Sequence, residues 1–292
     1  MSECTLCPRL CRADRKSGEL GYCMQGNEMR ICRAAPHFFE EPPISGTCGS
    51  GTVFFAGCSL GCVFCQNKDI SRGGNVGKTV TPKELSEIFL SLQEEGVHNI
   101  NLVTAAHFAD GVAEALRISK PLLKIPVVYN SSGYERVETL KLLDGLVDIY
   151  LPDFKYYSEK LAEKYSSAPD YREVAISALC EMYRQVGSFE YGEDGMLKRG
   201  MVVRHLVMPS GRKDSMAVLD LLARTLPTDK ILLSLMSQYT PDFALDCPYK
   251  ELHRRVTSFE YSSVLEYAHR LGFDGFMQGR ASAKADFTPD FL

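Results

Sequence analysis

Nine of the chain's eleven cysteines fall in its first 65 residues, seven of them in two arrays. The second array, Cys58-x3-Cys62-x2-Cys65, spans eight residues and carries Phe64 just before its last member. Three thiolates at this spacing can hold three corners of a cubic iron–sulfur cluster. Full ligation by cysteine takes four, so one iron would stay open to a substrate or cofactor. A zinc site, or a partial site completed by a distant cysteine, can use the same spacing. Gly57 and Gly61 would let the backbone wrap closely around a bound group. The first array is Cys4-x2-Cys7-x3-Cys11-x11-Cys23. Four thiolates can close a tetrahedral zinc site or hold a four-cysteine cluster, and the spacing is nearer a zinc knuckle than a ferredoxin run. Pro8, Arg9, Gly18 and Gly21 supply turn chemistry around it. A short segment without a core needs such a metal to fold. Cys32, Cys48, Cys180 and Cys247 have no evident partners, and Cys180, in an apolar helical pattern, is expected in the core. In a reducing compartment none of these thiols is expected in a structural disulfide.

The elements that must position these residues begin at residue 52. Residues 1–50 are loop-rich and show little apolar periodicity, and they read as a cysteine-rich metal-binding segment preceding a core at 51–292. Apolar runs rich in β-branched and aromatic residues predict strands at 52–57, 99–104, 126–130, 147–152, 201–208 and 231–236. Helical patterns fill the intervals at 110–120, 134–143, 171–187, 214–226 and 260–271. Another helix is announced by Thr81-Pro82-Lys83-Glu84, which offers a cap, a proline at the first helical position and a glutamate to close a capping box. Glu193-Asp194-Gly195 reads as a hairpin turn. Six strands alternating with helices imply an α/β fold with a parallel sheet, and near-continuous apolar strands suit a sheet buried on both faces. The strand ends recur as polar sites: Thr104-Ala105-Ala106-His107, Asn130-Ser131-Ser132-Gly133, Asp153-Phe154-Lys155 and Ser237-Gln238-Tyr239, with Arg204-His205 inside its strand. In α/β barrels the C-terminal strand ends carry the chemistry.

Composition narrows the function. The chain has 292 residues, is 45% hydrophobic and 24% charged, and carries 33 basic against 37 acidic side chains, a formal charge of −4. A mildly acidic chain lacks the basic face that general nucleic-acid binding needs. No apolar run approaches the roughly 18 residues of a membrane span, and the first residues lack a basic-then-apolar signal. The expected location is the cytoplasm.

With these motifs in place, the chain resembles the radical S-adenosylmethionine (SAM) superfamily, most nearly the uncharacterised proteins related to pyruvate formate-lyase activating enzyme. The resemblance is carried by residues 54–67, 101–104, 128–133, 149–155, 203–209 and 235–239, and extends from 52 to about 278. It implies a (β/α)6 partial barrel, with Cys58, Cys62 and Cys65 on a [4Fe–4S] cluster whose open iron chelates SAM. Reductive cleavage of SAM to methionine and a 5′-deoxyadenosyl radical, followed by hydrogen abstraction, is the implied reaction. Thr104, Ala105 and His107 stand where the family places a Gly-Gly-Glu segment against the methionine amino group; glycines and glutamate are absent here. Asn130, Ser131 and Ser132 stand near the methionine carboxylate, where activating enzymes have an aspartate. Asp153 and Lys155 match an Asp-x-Lys strand end, and Arg204 and His205 match a pair holding ribose and carboxylate. An electron donor of flavodoxin or ferredoxin type is also implied. The substrate is open: glycyl-radical activation, modification of another protein or peptide, and reaction on a small molecule all fit. The activating enzymes' cysteines for extra clusters, placed after the three-cysteine motif, are absent. A different class, a non-catalytic iron–sulfur or zinc scaffold or redox sensor, would not need the polar strand ends. A zinc hydrolase would need His/Asp clusters that the sequence lacks. Phe108, Tyr129, Tyr156 and Tyr239 are candidates to line a substrate pocket at the barrel mouth.

Overall fold

The structure, a computed structural model, describes residues 3–74 and 76–277. Its strands in chain order are β1 (Met29–His37), β2 (Ser50–Phe55), β3 (Lys78–Val80), β4 (Ile100–Val103), β5 (Val127–Ser131), β6 (Ile149–Pro152), β7 (Glu190–Tyr191), β8 (Leu197–Leu206), β9 (Leu232–Met236) and β10 (Asp274–Met277). The sheet order is β10-β9-β8-β6-β5-β4-β2-β1-β3, with β7 pairing β8. The run from β2 to β10 along this order is parallel, while β1 is antiparallel to both β2 and β3. Among the described residues the two edges do not pair, which gives the expected α/β partial barrel. The six predicted strands are all present, and β10 extends the parallel run to a seventh.

Every residue of β2, β4, β5, β6 and β9 is buried. Helices cover the outer face, and a second apolar cluster fills the barrel interior with Val128, Ile149, Leu151, Val202 and Leu232, alternate residues of four neighbouring strands. Ile44 belongs to this interior cluster. It arrives on the short helix Pro42–Ser45 between β1 and β2, whose Ile44 carbonyl accepts from Asn99 Nδ2 at 2.7 Å. The N-terminal part of the chain therefore stops the barrel from below.

Three local readings differ from the expectation. The first 50 residues are not all loop, because 29–37 form β1. Pro36 pairs with Gly51 of β2 on one side, and it is tolerated because β3 pairs only with Met29, Arg30 and Ile31, leaving no strand on its other side to miss its N–H. The helix expected over 134–143 shrinks to Val137–Leu140 followed by one 3-10 turn. Tyr134 and Glu135 instead turn into the core, where Tyr134 donates to Asp170 and stacks on Tyr171. The capping box at Thr81 and Glu84 is present, and 192–196 close the expected hairpin turn. Cys180 is exposed rather than in the core, because the buried stripe of its helix runs through Ala175, Ala178, Leu179 and Met182.

Candidate active site

The loop after β2 carries the three cysteines. Gly57 and Gly61 hold left-handed φ values of 82° and 76°. A Cβ on Gly57 would stand 2.5 Å from the Cys23 carbonyl oxygen, and one on Gly61 would stand 1.5 Å from the Arg72 guanidinium. Only glycine fits either position. The loop is pinned from across the barrel by Val63 N, which donates to the Tyr165 carbonyl at 2.9 Å. Each thiol has a donor nearby: Leu60 N at 3.3 Å from Cys58 Sγ, Ser166 Oγ at 3.0 Å from Cys62 Sγ, and Ser71 Oγ at 3.5 Å from Cys65 Sγ. Burial, then the charges of Cys58 and Cys62, push the Cys65 thiol up to about 12. Burial also raises Cys62, against the pull of Lys155. Three half-buried thiols grouped on one loop, each with a hydrogen-bond donor, form a set suited to a cationic group that takes thiolate ligands. They fit an iron–sulfur cluster. A cubic cluster takes one thiolate per iron, so its ligands need not converge on one ion.

All three cysteines face a cavity of about 240 Å³ at the C-terminal strand ends. Strand register brings the polar residues level around it: Val103 pairs with Asn130, Ser131 with Pro152, and Asp153 bridges to Arg204. Thr104, Asn130, Ser131, Ser132, Asp153, Lys155 and Arg204 all line it. Thr104 has φ +63°, a costly conformation for a β-branched residue, worth about 1–3 kcal/mol. Its N–H still donates to the Asn130 carbonyl at 2.9 Å, so the ladder holds it there. Lys155 Nζ donates to Asp153 Oδ2 at 2.6 Å and Arg204 Nε to Asp153 Oδ1 at 3.0 Å. Burial raises the Asp153 carboxyl, but these two cations overcome it and hold it below the usual carboxylate range.

Glu40, which no local sequence pattern singles out, enters from the segment after β1. Its Oε1 accepts from Asn101 Nδ2 at 3.0 Å and Asn130 Nδ2 at 3.1 Å, and its Oε2 accepts from Arg204 Nη1 at 3.2 Å. Arg204 Nη2 donates to Asn130 Oδ1 at 2.6 Å. All three guanidinium nitrogens are thus engaged by the protein's own acceptors. The adjacent Glu41 is buried and raised by that burial, with Arg204 opposing. An acidic pair before two prolines reads as a surface turn, so local pattern hides its inward course.

Ala105, His107 and His205 do not line this cavity. Ala105 is fully buried. His107 Nε2 donates to the Ala56 carbonyl at 2.7 Å, just before the cysteine loop, and burial lowers its pKa to about 4. His205 Nδ1 donates to the Phe154 carbonyl at 2.6 Å, is likewise lowered to about 4 by burial, and lines a neighbouring cavity behind Lys155. Both rings are neutral at physiological pH. Of the four aromatic candidates, Tyr239 lines the cavity. Phe108, Tyr129 and Tyr156 lie in the outer core instead, because their side chains pack under the covering helices.

The N-terminal cysteines sit on two tight turns, Leu10 N donating to the Cys7 carbonyl and Met24 N to the Gly21 carbonyl. The sulfurs of Cys11 and Cys23 flank the place a Gly21 Cβ would take, at 3.3 and 3.4 Å. Burial, then charge from Cys23, Cys4 and Cys11, pushes Cys7 up to about 12. Arg15 is buried beside them, donates to the His107 carbonyl at 2.6 Å, and has Nη1 3.7 Å from Cys4 Sγ. Among the described residues no group of three or more His, Cys, Asp or Glu side chains is arranged to hold a single metal ion. Among them, too, no helix is long and apolar enough to cross a membrane.

Comparison with known proteins gives consistent findings. The model of the radical SAM superfamily matches residues 52–196. An uncharacterized protein of Methanocaldococcus jannaschii is 30% identical over 283 residues, covering 93% of this chain and 75% of its own. A radical SAM methyltransferase from Sphaerobacter thermophilus superposes with TM-score 0.54 at 16% identity, over 80% of this chain and 67% of its own. A domain of a pyruvate-formate lyase-activating enzyme from Bacteroides vulgatus superposes more weakly, with TM-score 0.39 at 11% identity, over 68% of this chain and 91% of its own.

Proposed function

Because the chain belongs to the radical SAM superfamily, we propose that it is an enzyme that abstracts hydrogen from a substrate entering the cavity beside the three-cysteine loop. Membership implies a [4Fe–4S] cluster and SAM. When bound, they supply reductive cleavage of SAM to methionine and a 5′-deoxyadenosyl radical. The observation that carries the reading is the shared cavity: three cysteine thiols and the polar ends of β4, β5, β6 and β8 face one space.

Cys58, Cys62 and Cys65 would hold the cluster, with Leu60 N, Ser166 Oγ and Ser71 Oγ supporting their sulfurs. Thr104 would present its strained peptide, and Asn130, Ser131, Ser132, Asp153 and Lys155 their polar groups, to SAM. Arg204 serves differently from a free carboxylate clamp. With its nitrogens committed to Glu40, Asp153 and Asn130, it organises these acceptors for a ligand that brings donors and net positive charge. Ala105, His107 and His205 act from behind the wall: His107 fixes the peptide that leads into the cysteine loop. A second metal, with zinc favoured by the spacing, would join Cys4, Cys7, Cys11 and Cys23. Hydrogen abstraction could serve glycyl-radical activation, another protein or peptide modification, or a small molecule. A flavodoxin- or ferredoxin-type protein would supply the electron, and eleven free thiols suit the reducing cytoplasm.

The test is anaerobic. Reconstituted, dithionite-reduced protein given SAM should release 5′-deoxyadenosine, and Cys62→Ala should release none. Iron, sulfide and zinc counted on the same sample assign the two metal sites. A wild type with a full cluster that yields no more product than the variant, with or without candidate substrates, overturns the reading.

A further inference from the structure

The four-cysteine segment does more than sit beside the barrel. We propose that Arg9 is a positioning residue that ties this segment to the cluster loop, so that closure of the N-terminal metal site governs how firmly the loop keeps its cluster. The proposal rests on the two metal sites assigned above and adds the link between them.

Arg9 stands between Cys7 and Cys11. Its Nε donates to the Ser59 carbonyl at 2.8 Å, and its Nη2 to the carbonyls of Leu60 and Ser166, both at 2.9 Å. Nη1 donates to the Ser167 carbonyl. Ser59 and Leu60 lie between Cys58 and Cys62, while Leu60 N and Ser166 Oγ are the donors to Cys58 and Cys62. One guanidinium thus holds both peptide segments that support two of the three cluster thiols. Ser59, Leu60 and Ser166 are each at most 2% exposed, so water cannot replace these bonds cheaply.

The other half of the segment grips the same loop. Tyr22, next to Cys23, has its ring between the guanidiniums of Arg9 (4.1 Å) and Arg72 (4.8 Å). Arg72 also donates to the Tyr22 carbonyl at 3.1 Å, and its guanidinium fills the space above Gly61. The Cys23 carbonyl closes over Gly57. The loop is therefore bracketed at Gly57, Ser59, Leu60 and Gly61 by residues adjoining Cys7, Cys11 and Cys23. A metal joining Cys4, Cys7, Cys11 and Cys23 makes the bracket one rigid piece. Without it the two halves are held by residues 12–22, the Arg9–Tyr22 contact and the Arg15 hydrogen bond to the Gly26 carbonyl, none of which ties the four sulfurs together. Lysine cannot replace Arg9, because one ammonium cannot span four carbonyls as the planar fork does.

The experiment compares wild type with Arg9→Ala, Arg9→Lys and Cys11→Ser, all reconstituted anaerobically. It follows iron loss to a chelator, zinc content and the electron paramagnetic resonance spectrum of the reduced cluster. Arg9→Ala and Arg9→Lys should keep the N-terminal metal yet lose iron about tenfold faster or more, as expected for several lost charge-assisted bonds, with an altered cluster spectrum. Cys11, being exposed, can be replaced without disturbing a core; Cys11→Ser should lose the N-terminal metal and show the same acceleration. Arg9→Lys, which keeps charge and stem, stands in should Arg9→Ala not fold. Unchanged iron loss and spectrum in the Arg9 variants overturn the link. Faster iron loss in the Arg9 variants with no metal at the cysteines of wild type upholds Arg9's hold on the loop and overturns the metal's part in it. A wild type without iron instead overturns the cluster assignment, so the two failures are distinct.

Discussion

Replacing Glu40 by alanine should weaken both the fold and the affinity for SAM. The change strips the acceptor from Asn101 at 3.0 Å, Asn130 at 3.1 Å and Arg204 at 3.2 Å. Removing one partner of a buried ion pair costs about 3–5 kcal/mol when the remaining charge is uncompensated. Arg204 keeps Asp153 at 3.0 Å and Asn130 at 2.6 Å, so that upper range does not apply. The Glu40 and Arg204 side chains are 10% and 15% exposed, which limits relief by solvent. The expected loss is about 2–3 kcal/mol, since each orphaned buried donor contributes roughly 1 kcal/mol or more. Glu40→Gln keeps an acceptor and should lose about half as much. Urea denaturation of the apoprotein reads this directly. The ligand arm is independent. SAM carries an ammonium, a sulfonium and a carboxylate, so its net charge is positive, whereas S-adenosylhomocysteine is neutral overall. Glu40→Gln should weaken SAM about tenfold, the scale of a charge interaction a few ångströms beyond contact at intermediate dielectric, and should weaken S-adenosylhomocysteine less. Equilibrium dialysis on reconstituted protein measures both. Unchanged denaturation midpoints in Glu40→Ala, with both affinities unaltered in Glu40→Gln, would refute the role drawn from these contacts.

Other outcomes follow from the same structure. Gly61→Ala meets both a left-handed φ and the Arg72 guanidinium, and should lower stability by about 1–3 kcal/mol, which thermal melting would show. Cys180→Ser should change stability by less than about 0.5 kcal/mol, as an exposed substitution does; a larger loss would mean that the thiol packs. Glu135 is buried and its carboxyl is pushed up to about 8, mainly by that burial. Because its folded pKa lies above the unfolded one, the folded state holds the extra proton, and its contribution is fully present below about 4.3 and lost as pH rises through 8. Glu135→Gln should therefore gain stability over wild type by a few kcal/mol at pH 9 and by little at pH 4, measured by urea denaturation. Buried His107 and His205, both lowered to about 4, work in the opposite sense: their contribution is present above about 6.5 and lost as pH falls towards 4. The stability of wild type relative to His205→Gln should therefore fall as pH drops from 6.5 towards 4, and a difference that does not change with pH would contradict the burial of that ring.

The chemistry-bearing residues were legible where local pattern and barrel geometry coincide. Cys58, Cys62 and Cys65 follow an apolar strand, and Thr104, Asn130 and Asp153 each end one, so knowing the strands was enough to bring them together. Glu40 was not legible because nothing near it in sequence signals a side chain aimed into the barrel; its partners lie 61, 90 and 164 residues away. The alternation in β1 is blurred because most of the strand is only half-buried. His107 follows β4 and His205 lies inside β8, both next to residues that line the cavity, but sequence does not tell which way such a ring turns, and both turn to backbone carbonyls outside the cavity. Phe108 and Tyr156 failed as pocket residues for the same reason, since period-two alternation is lost once the chain leaves the strand, whereas Tyr129 lies inside β5, where alternation with interior Val128 turns it to the outer core.

The hydrogen bond from Ser166 to Cys62 spans 104 residues of chain. During synthesis the cysteine loop leaves the ribosome well before the helix that supports it exists. For that interval the three thiols are open to solvent, oxidants and stray metal. For a cluster held by these thiols, insertion would follow closure of the middle strands, with the thiols kept reduced until the barrel could receive it.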